Sequence, residues 1–96
     1  MLTKDQILSK LKELKPNLYI EYSVKEIGVF GSYVSGDASE DSDIDILIEL
    51  DKPIGWKYFT LELYLEDKLG KKIDLVTKNA LKDQIRNSIL SQVNYA

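Results

Sequence analysis

Residues 31–45 read Gly31-Ser32-Tyr33-Val34-Ser35-Gly36-Asp37-Ala38-Ser39-Glu40-Asp41-Ser42-Asp43-Ile44-Asp45. Gly31 ends the apolar run Val24 to Phe30 and so closes a strand. Residues 32–36 have room for one or two helical turns, stopped by Gly36. Residues 37–42 are loop. Asp43 then opens a second strand that runs to Leu50 with clear alternation. Ile44, Ile46 and Ile48 share one face, and Asp43, Asp45, Leu47 and Glu49 share the other.

Upstream, Thr3 and Gln6 have the spacing of a capping box. Ile7, Leu8, Leu11 and Leu14 follow at helical spacing, which predicts a helix from Lys4 to Lys15, ended by Pro16. Downstream, Pro53 and Gly55 break the chain. Tyr58, Leu61, Leu65 and Leu69 then form the stripe of a second long helix closed by Gly70. Lys72 to Thr77 reads as a third strand, with Asp74 and Val76 on the face opposite Ile73 and Leu75. Asn79 is positioned to cap a last helix carrying Leu81, Ile85, Ile89 and Val93. The order α-β-(short α)-β-α-β-α predicts an α/β domain, a three-stranded sheet with helices packed against it. No repeat, linker or low-complexity tract divides the 96 residues, so the expectation is one domain over 1–96.

Composition narrows the chemistry. The chain has no cysteine and no histidine. That removes disulfides, thiolate and imidazole metal sites, and Ser-His-Asp or cysteine nucleophiles. Any catalysis must rest on carboxylates, lysines, hydroxyls and backbone amides, with or without a hard metal ion. Seven acids and no base lie between Asp37 and Asp51, against 13 bases and nine acids elsewhere. This pattern does not call for direct nucleic-acid binding. No apolar run approaches the ~18–20 residues of a membrane span, and no signal core follows Met1, so a cytoplasmic protein is expected.

Three elements carry chemistry. Gly31-Ser32 ends a strand at the start of a helical turn, where backbone can approach a ligand closely and free N–H groups suit a phosphate. Asp43 and Asp45 lie two apart on one strand, so both carboxylates leave the same face, with Cα atoms roughly 6.5–7 Å apart. Asp74 interrupts an apolar strand, where an acid is costly unless paired, exposed or metal-bound. Each element alone has an ordinary reading as a turn, an exposed strand face or a solvated acid; their combination points to a metal and phosphate site. An EF-hand is excluded, because Ile46 and Lys52 stand where that loop needs glycine and a bidentate glutamate.

Gly31-Ser32, ten intervening residues and Asp43-Ile44-Asp45 resemble the signature of the polymerase β-type nucleotidyltransferase superfamily. The resemblance is to its minimal nucleotidyltransferases. It continues through Leu69-Gly70-Lys71-Lys72-Ile73-Asp74-Leu75-Val76 and covers nearly the whole chain. It implies the polymerase β-like fold with a small mixed sheet. It also implies that Asp43 and Asp45 bind Mg²⁺, as two ions, and the nucleotide phosphates. Asp74 completes the metal site and helps activate the attacking hydroxyl, and Gly31 and Ser32 hold the triphosphate of ATP. Ser35 stands where relatives often carry arginine. By the same resemblance the partner is a HEPN-type ribonuclease toxin, silenced by AMP transfer to a tyrosine. An antitoxin that acts by binding alone and an adenylyltransferase of a small molecule are the alternatives.

Overall fold

The computed structural model describes residues 2–96. Its first helix, α1, spans Lys4–Tyr22. The capping box forms as the sequence predicts: the Gln6 N–H donates to Thr3 Oγ1 at 3.1 Å, and the Thr3 N–H to Gln6 Oε1 at 2.9 Å. The helix does not stop at Lys15. It runs through Pro16, which is exposed, so the carbonyl that loses its partner faces water. Leu18 and Tyr22 continue the buried stripe of Ile7 and Leu11, and their burial offsets the proline penalty of ~3 kcal/mol. Ser23, in the left-handed region at φ 57°, ends it.

Next come strand β1 (Val24–Phe30), helix α2 (Ser32–Ser35) and strand β2 (Ile44–Leu50). Helix α3 (Lys57–Leu69), strand β3 (Ile73–Thr77) and a 3₁₀ turn (Lys78–Ala80) follow. Helix α4 (Asp83–Gln92) and strand β4 (Asn94–Tyr95) complete the order. The sheet therefore has four strands where the sequence predicts three, in the order β3-β2-β1-β4. Strand β4 has two residues, too few to show any alternation, and pairs antiparallel with β1. β1 and β2 are antiparallel, and β2 and β3 are parallel.

The last helix also starts later than expected. Asn79 lies inside the 3₁₀ turn and caps nothing; Lys82 precedes α4. Leu81 explains the break, because it is buried beside Phe30 and Leu47 with extended backbone.

The main core fills one face of the sheet. Ile27, Val29, Ile44, Ile46, Ile48, Ile73 and Leu75 pack there against α1 and the Leu61, Leu65 and Leu69 stripe of α3. A smaller core covers part of the opposite face. There Phe30, Leu47 and Leu81 are buried beneath Ile89, Leu90 and Val93, which belong to α4 and the residue after it. Leu47 shares its strand face with Asp45 yet is only 1% exposed. Truncation to alanine is therefore expected to cost about 2–4 kcal/mol in a urea melt, as a full core deletion does. A loss below ~0.5 kcal/mol, the range of a surface substitution, would show that α4 does not seal this face.

Candidate active site

The uncovered end of that second face carries the acids. In the parallel β2–β3 ladder Asp45 is the register partner of Asp74, so the two carboxylates stand side by side. Asp43 lies just before β2 and is exposed, as is Asp74; Asp45 is half-buried. Among the described residues no three acids close around one point. The fold thus pairs Asp45 with Asp74 and leaves Asp43 at the margin.

Gly31 presses on this pair from β1. Phe30 is the register partner of Asp45, and Gly31 follows with φ 74° and ψ −145°. This conformation is open to glycine and costly for other residues. A Cβ at Gly31 would fall on Asp45 Oδ2. Glycine is needed here both for its backbone angles and for the close approach.

The crowding alters the acidity of Asp45. Burial, then the Asp74 charge and a hydrogen bond between the two carboxyl groups, then the Asp43 charge, push its pKa up to about 6. A hard divalent cation fits the Asp45–Asp74 pair, which offers only oxygen ligands and concentrates negative charge.

The neighbouring hydrogen bonds shape the loop. Val34 N–H and Ser35 N–H both donate to the Gly31 carbonyl at 3.0 Å, which winds α2. The Gly31 N–H is not free: it donates to Gln92 Oε1 at 3.1 Å. Ser32 stands at the first position of α2, half-exposed, with its carbonyl accepting from Gly36 and Asp37. Ser35 Oγ turns back to the Ser32 carbonyl at 3.3 Å and to Asp37 Oδ2 at 3.1 Å. Lys71 Nζ donates to the Glu40 carbonyl, tying the acidic loop to the turn before β3. On the other side, Tyr58 of α3 donates to the Leu75 carbonyl, next to Asp74.

Sequence reasoning missed Gln92. A single polar residue near the end of a helix carries no spacing signal, and its partner is 61 positions away. A cavity of about 270 Å³ opens at the far end of β2 and β3, among Glu49, Lys52, Thr77 and Lys78, and no candidate residue lines it.

The raised pKa has a consequence for stability. The folded chain holds the Asp45 proton more tightly than the unfolded chain, whose value is about 3.8. The Asp45 contribution to stability without metal is therefore greatest below pH 4, falls as pH rises through about 6, and is flat above that. Asp45→Asn removes this titration. In EDTA at pH 7.5 it is expected to melt above the parent by about 4–8 °C, or ~1 kcal/mol after allowing for solvent screening of a half-exposed group. At pH 4 the two melts should coincide. A lower melt for Asp45→Asn at pH 7.5 would mean that the carboxylate makes a structural bond.

Comparison with known proteins places the fold and the family. Residues 4–95 match the model of the nucleotidyltransferase domain. The protein adenylyltransferase MntA of Thermococcus cleftensis is 48% identical over 96 residues, covering 99% of this chain and 97% of the relative. A structure solved as a minimal nucleotidyltransferase superposes with a TM-score of 0.79 at 28% identity, covering 97% of this chain and 95% of that one. The MNT antitoxin bound to a tri-AMPylated HEPN toxin in Shewanella oneidensis shares the fold, with a TM-score of 0.68 at 19% identity over 97% of this chain and 71% of that one. The chain belongs to the nucleotidyltransferase domain family.

Proposed function

We propose that this nucleotidyltransferase moves AMP from ATP to a tyrosine hydroxyl of a HEPN-type toxin in the cytoplasm, and so acts as its antitoxin. The observation that carries the reading is the Asp45–Asp74 pair, aligned across two strands with Gly31 packed against it. The near full-length likeness to a protein adenylyltransferase supports the class of reaction. Asp43 and Asp74 are exposed, so a side chain of another protein can reach them. The neighbouring fold in complex with an AMPylated HEPN toxin supports the class of partner. Trp56 and Leu63, 85% and 65% exposed on the outer side of α3, offer a protein partner an apolar surface.

In this reading Asp43, Asp45 and Asp74 hold Mg²⁺. The bound metal would offset negative charge on the attacking and leaving oxygens. Ser32 contributes its hydroxyl to the triphosphate. Gly31 contributes by close approach rather than through its N–H, which Gln92 already takes. Asp74, exposed beside the site, accepts the proton of the acceptor hydroxyl. The acceptor oxygen bonds to the α-phosphorus as the bond to the β-phosphate bridging oxygen breaks, and pyrophosphate leaves.

Asp43→Asn and Asp45→Asn are each expected to lower AMP transfer at least ~10³-fold, read as radiolabel moved from α-labelled ATP to the partner, with circular dichroism unchanged. Transfer within two-fold of the parent would refute the assigned residues.

One observation favours a second reading, neutralisation by binding alone. Ser35 is a neutral hydroxyl, hydrogen-bonded to the Ser32 carbonyl and Asp37, and brings no positive charge to a triphosphate. Asp45→Asn, expressed at the parent's level, separates the two. An enzymatic antitoxin fails to protect cells from the toxin while still co-purifying with it. Full protection by this variant would establish the binding mechanism instead.

A further inference from the structure

We propose that Gln92 is a positioning residue for nucleotide binding: from the last turn of α4 its side-chain carbonyl holds the Gly31 N–H, and through it the loop that carries Ser32. The inference rests on the nucleotidyl-transfer reading of the Gly31–Asp45 site.

The need for such a hold comes from Gly31 itself. Its backbone lies in a region that glycine enters freely and also leaves freely. The Gly31 carbonyl is committed to starting α2, where it accepts from Val34 and Ser35. The part-buried N–H is the remaining backbone handle, and it donates to Gln92 Oε1 at 3.1 Å. With both handles engaged, the turn that brings Gly31 against Asp45 Oδ2 has one setting. Ser32, one residue further, inherits that setting.

Gln92 is itself fixed from several sides. Ile89, Leu90 and Val93 anchor this end of α4 to the second core. The Val93 N–H closes the helix on the Ile89 carbonyl at 3.2 Å. Gln92 Nε2 donates to the Ser88 carbonyl at 3.3 Å, which sets which side-chain atom faces Gly31. Asn94 Nδ2 donates to the Gln92 carbonyl at 3.1 Å. Strand β4 then pairs Asn94 with Val29 and Tyr95 with Gly28, immediately before the loop. Gly28 is tailored to this docking, because a Cβ there would meet the Asn94 carbonyl oxygen at 2.8 Å. Beyond it the Ala96 N–H donates to the Ile27 carbonyl and Lys15 Nζ to the Ala96 carbonyl, each at 2.9 Å. The segment from Gln92 to Ala96 therefore forms a clamp along β1, and Gln92 is the member that reaches the site.

A hold on the ground-state loop acts on nucleotide affinity more than on turnover, because the triphosphate contacts persist from bound substrate to transition state. Gln92→Met keeps length and volume and removes the acceptor. It is expected to weaken Mg²⁺-ATP binding in calorimetry by about three- to ten-fold, the yield of one hydrogen bond. The KM for ATP should rise in parallel, with kcat within about two-fold. By NMR the Gly31 amide should exchange with solvent about ten-fold faster or more. Gln92→Glu, which retains an acceptor oxygen at the same reach, should restore the amide protection. Faster exchange with unchanged affinity would overturn the inference, as would unchanged exchange. A parent that binds Mg²⁺-ATP but transfers nothing would refute the catalytic reading while calorimetry still decides the role of Gln92. A parent that does not bind Mg²⁺-ATP would refute both.

Discussion

Two like charges stand opposite each other in the β2–β3 ladder, and the local structure is arranged around them. Directly opposed carboxylates weaken a sheet. Asp45 cannot swing away, because it lies half-buried under Gly31. The result is a carboxyl whose pKa is pushed up to about 6, with a neighbouring acid as its hydrogen-bond partner. Such an arrangement lowers the stability of the isolated fold, and a bound cation would offset it. In the proposed reading, function explains why the pair is kept. The residues around it respond to the same constraint: Gly31 has no side chain to collide with Asp45, and Tyr58 fixes the backbone beside Asp74.

The division of the sheet into two faces makes that cost tolerable. The face under α1 and α3 is continuous hydrocarbon, with Ile7, Leu11, Leu18, Ile27, Ile46, Ile48, Leu61 and Leu65 all inaccessible to water. The other face is shared. Leu47 and Phe30 are sealed by α4, and the acids occupy the end that α4 leaves open. Alternation along β2 delivers both halves of this plan from consecutive residues, because Ile44 and Ile46 go one way and Asp45 and Leu47 the other.

The sequence discloses those features that are periodic or chemically unusual in place. The alternation from Ile44 to Ile48, the capped start at Thr3 and the glycine stops at Gly36 and Gly70 appear in the structure as read, with β2 opening at Ile44 one residue after Asp43. What escapes is set by tertiary contact. Pro16 reads as a stop, but burial of Leu18 and Tyr22, two and six residues later, outweighs it. Leu81 reads as helical, but packing against Phe30 and Leu47 holds it extended. Strand β4 and the Gln92–Gly31 bond connect distant parts of the chain and have no local signature. At the site, composition and spacing single out the three acids, whereas only the β2–β3 register shows that Asp45 and Asp74 are directly paired across the strands.

The charge around the loop carries one further step. The chain has a single arginine, Arg86, whose guanidinium donates to the Lys78 carbonyl in the 3₁₀ turn. Ser35 is a neutral, exposed residue hydrogen-bonded to its own turn, and Lys71 is engaged with the backbone of the acidic loop. In the proposed reading a triphosphate approaching this open end of the sheet meets the carboxylates first. Its own negative charge adds to that of Asp43, Asp45 and Asp74. In the proposed reading, affinity must come from divalent counter-charge and from the hydrogen-bonding geometry of the loop, with little from side-chain cations. The Gln92 clamp gains weight for that reason. Where electrostatic attraction is scarce, a loop held in its binding conformation beforehand loses less freedom when the nucleotide arrives.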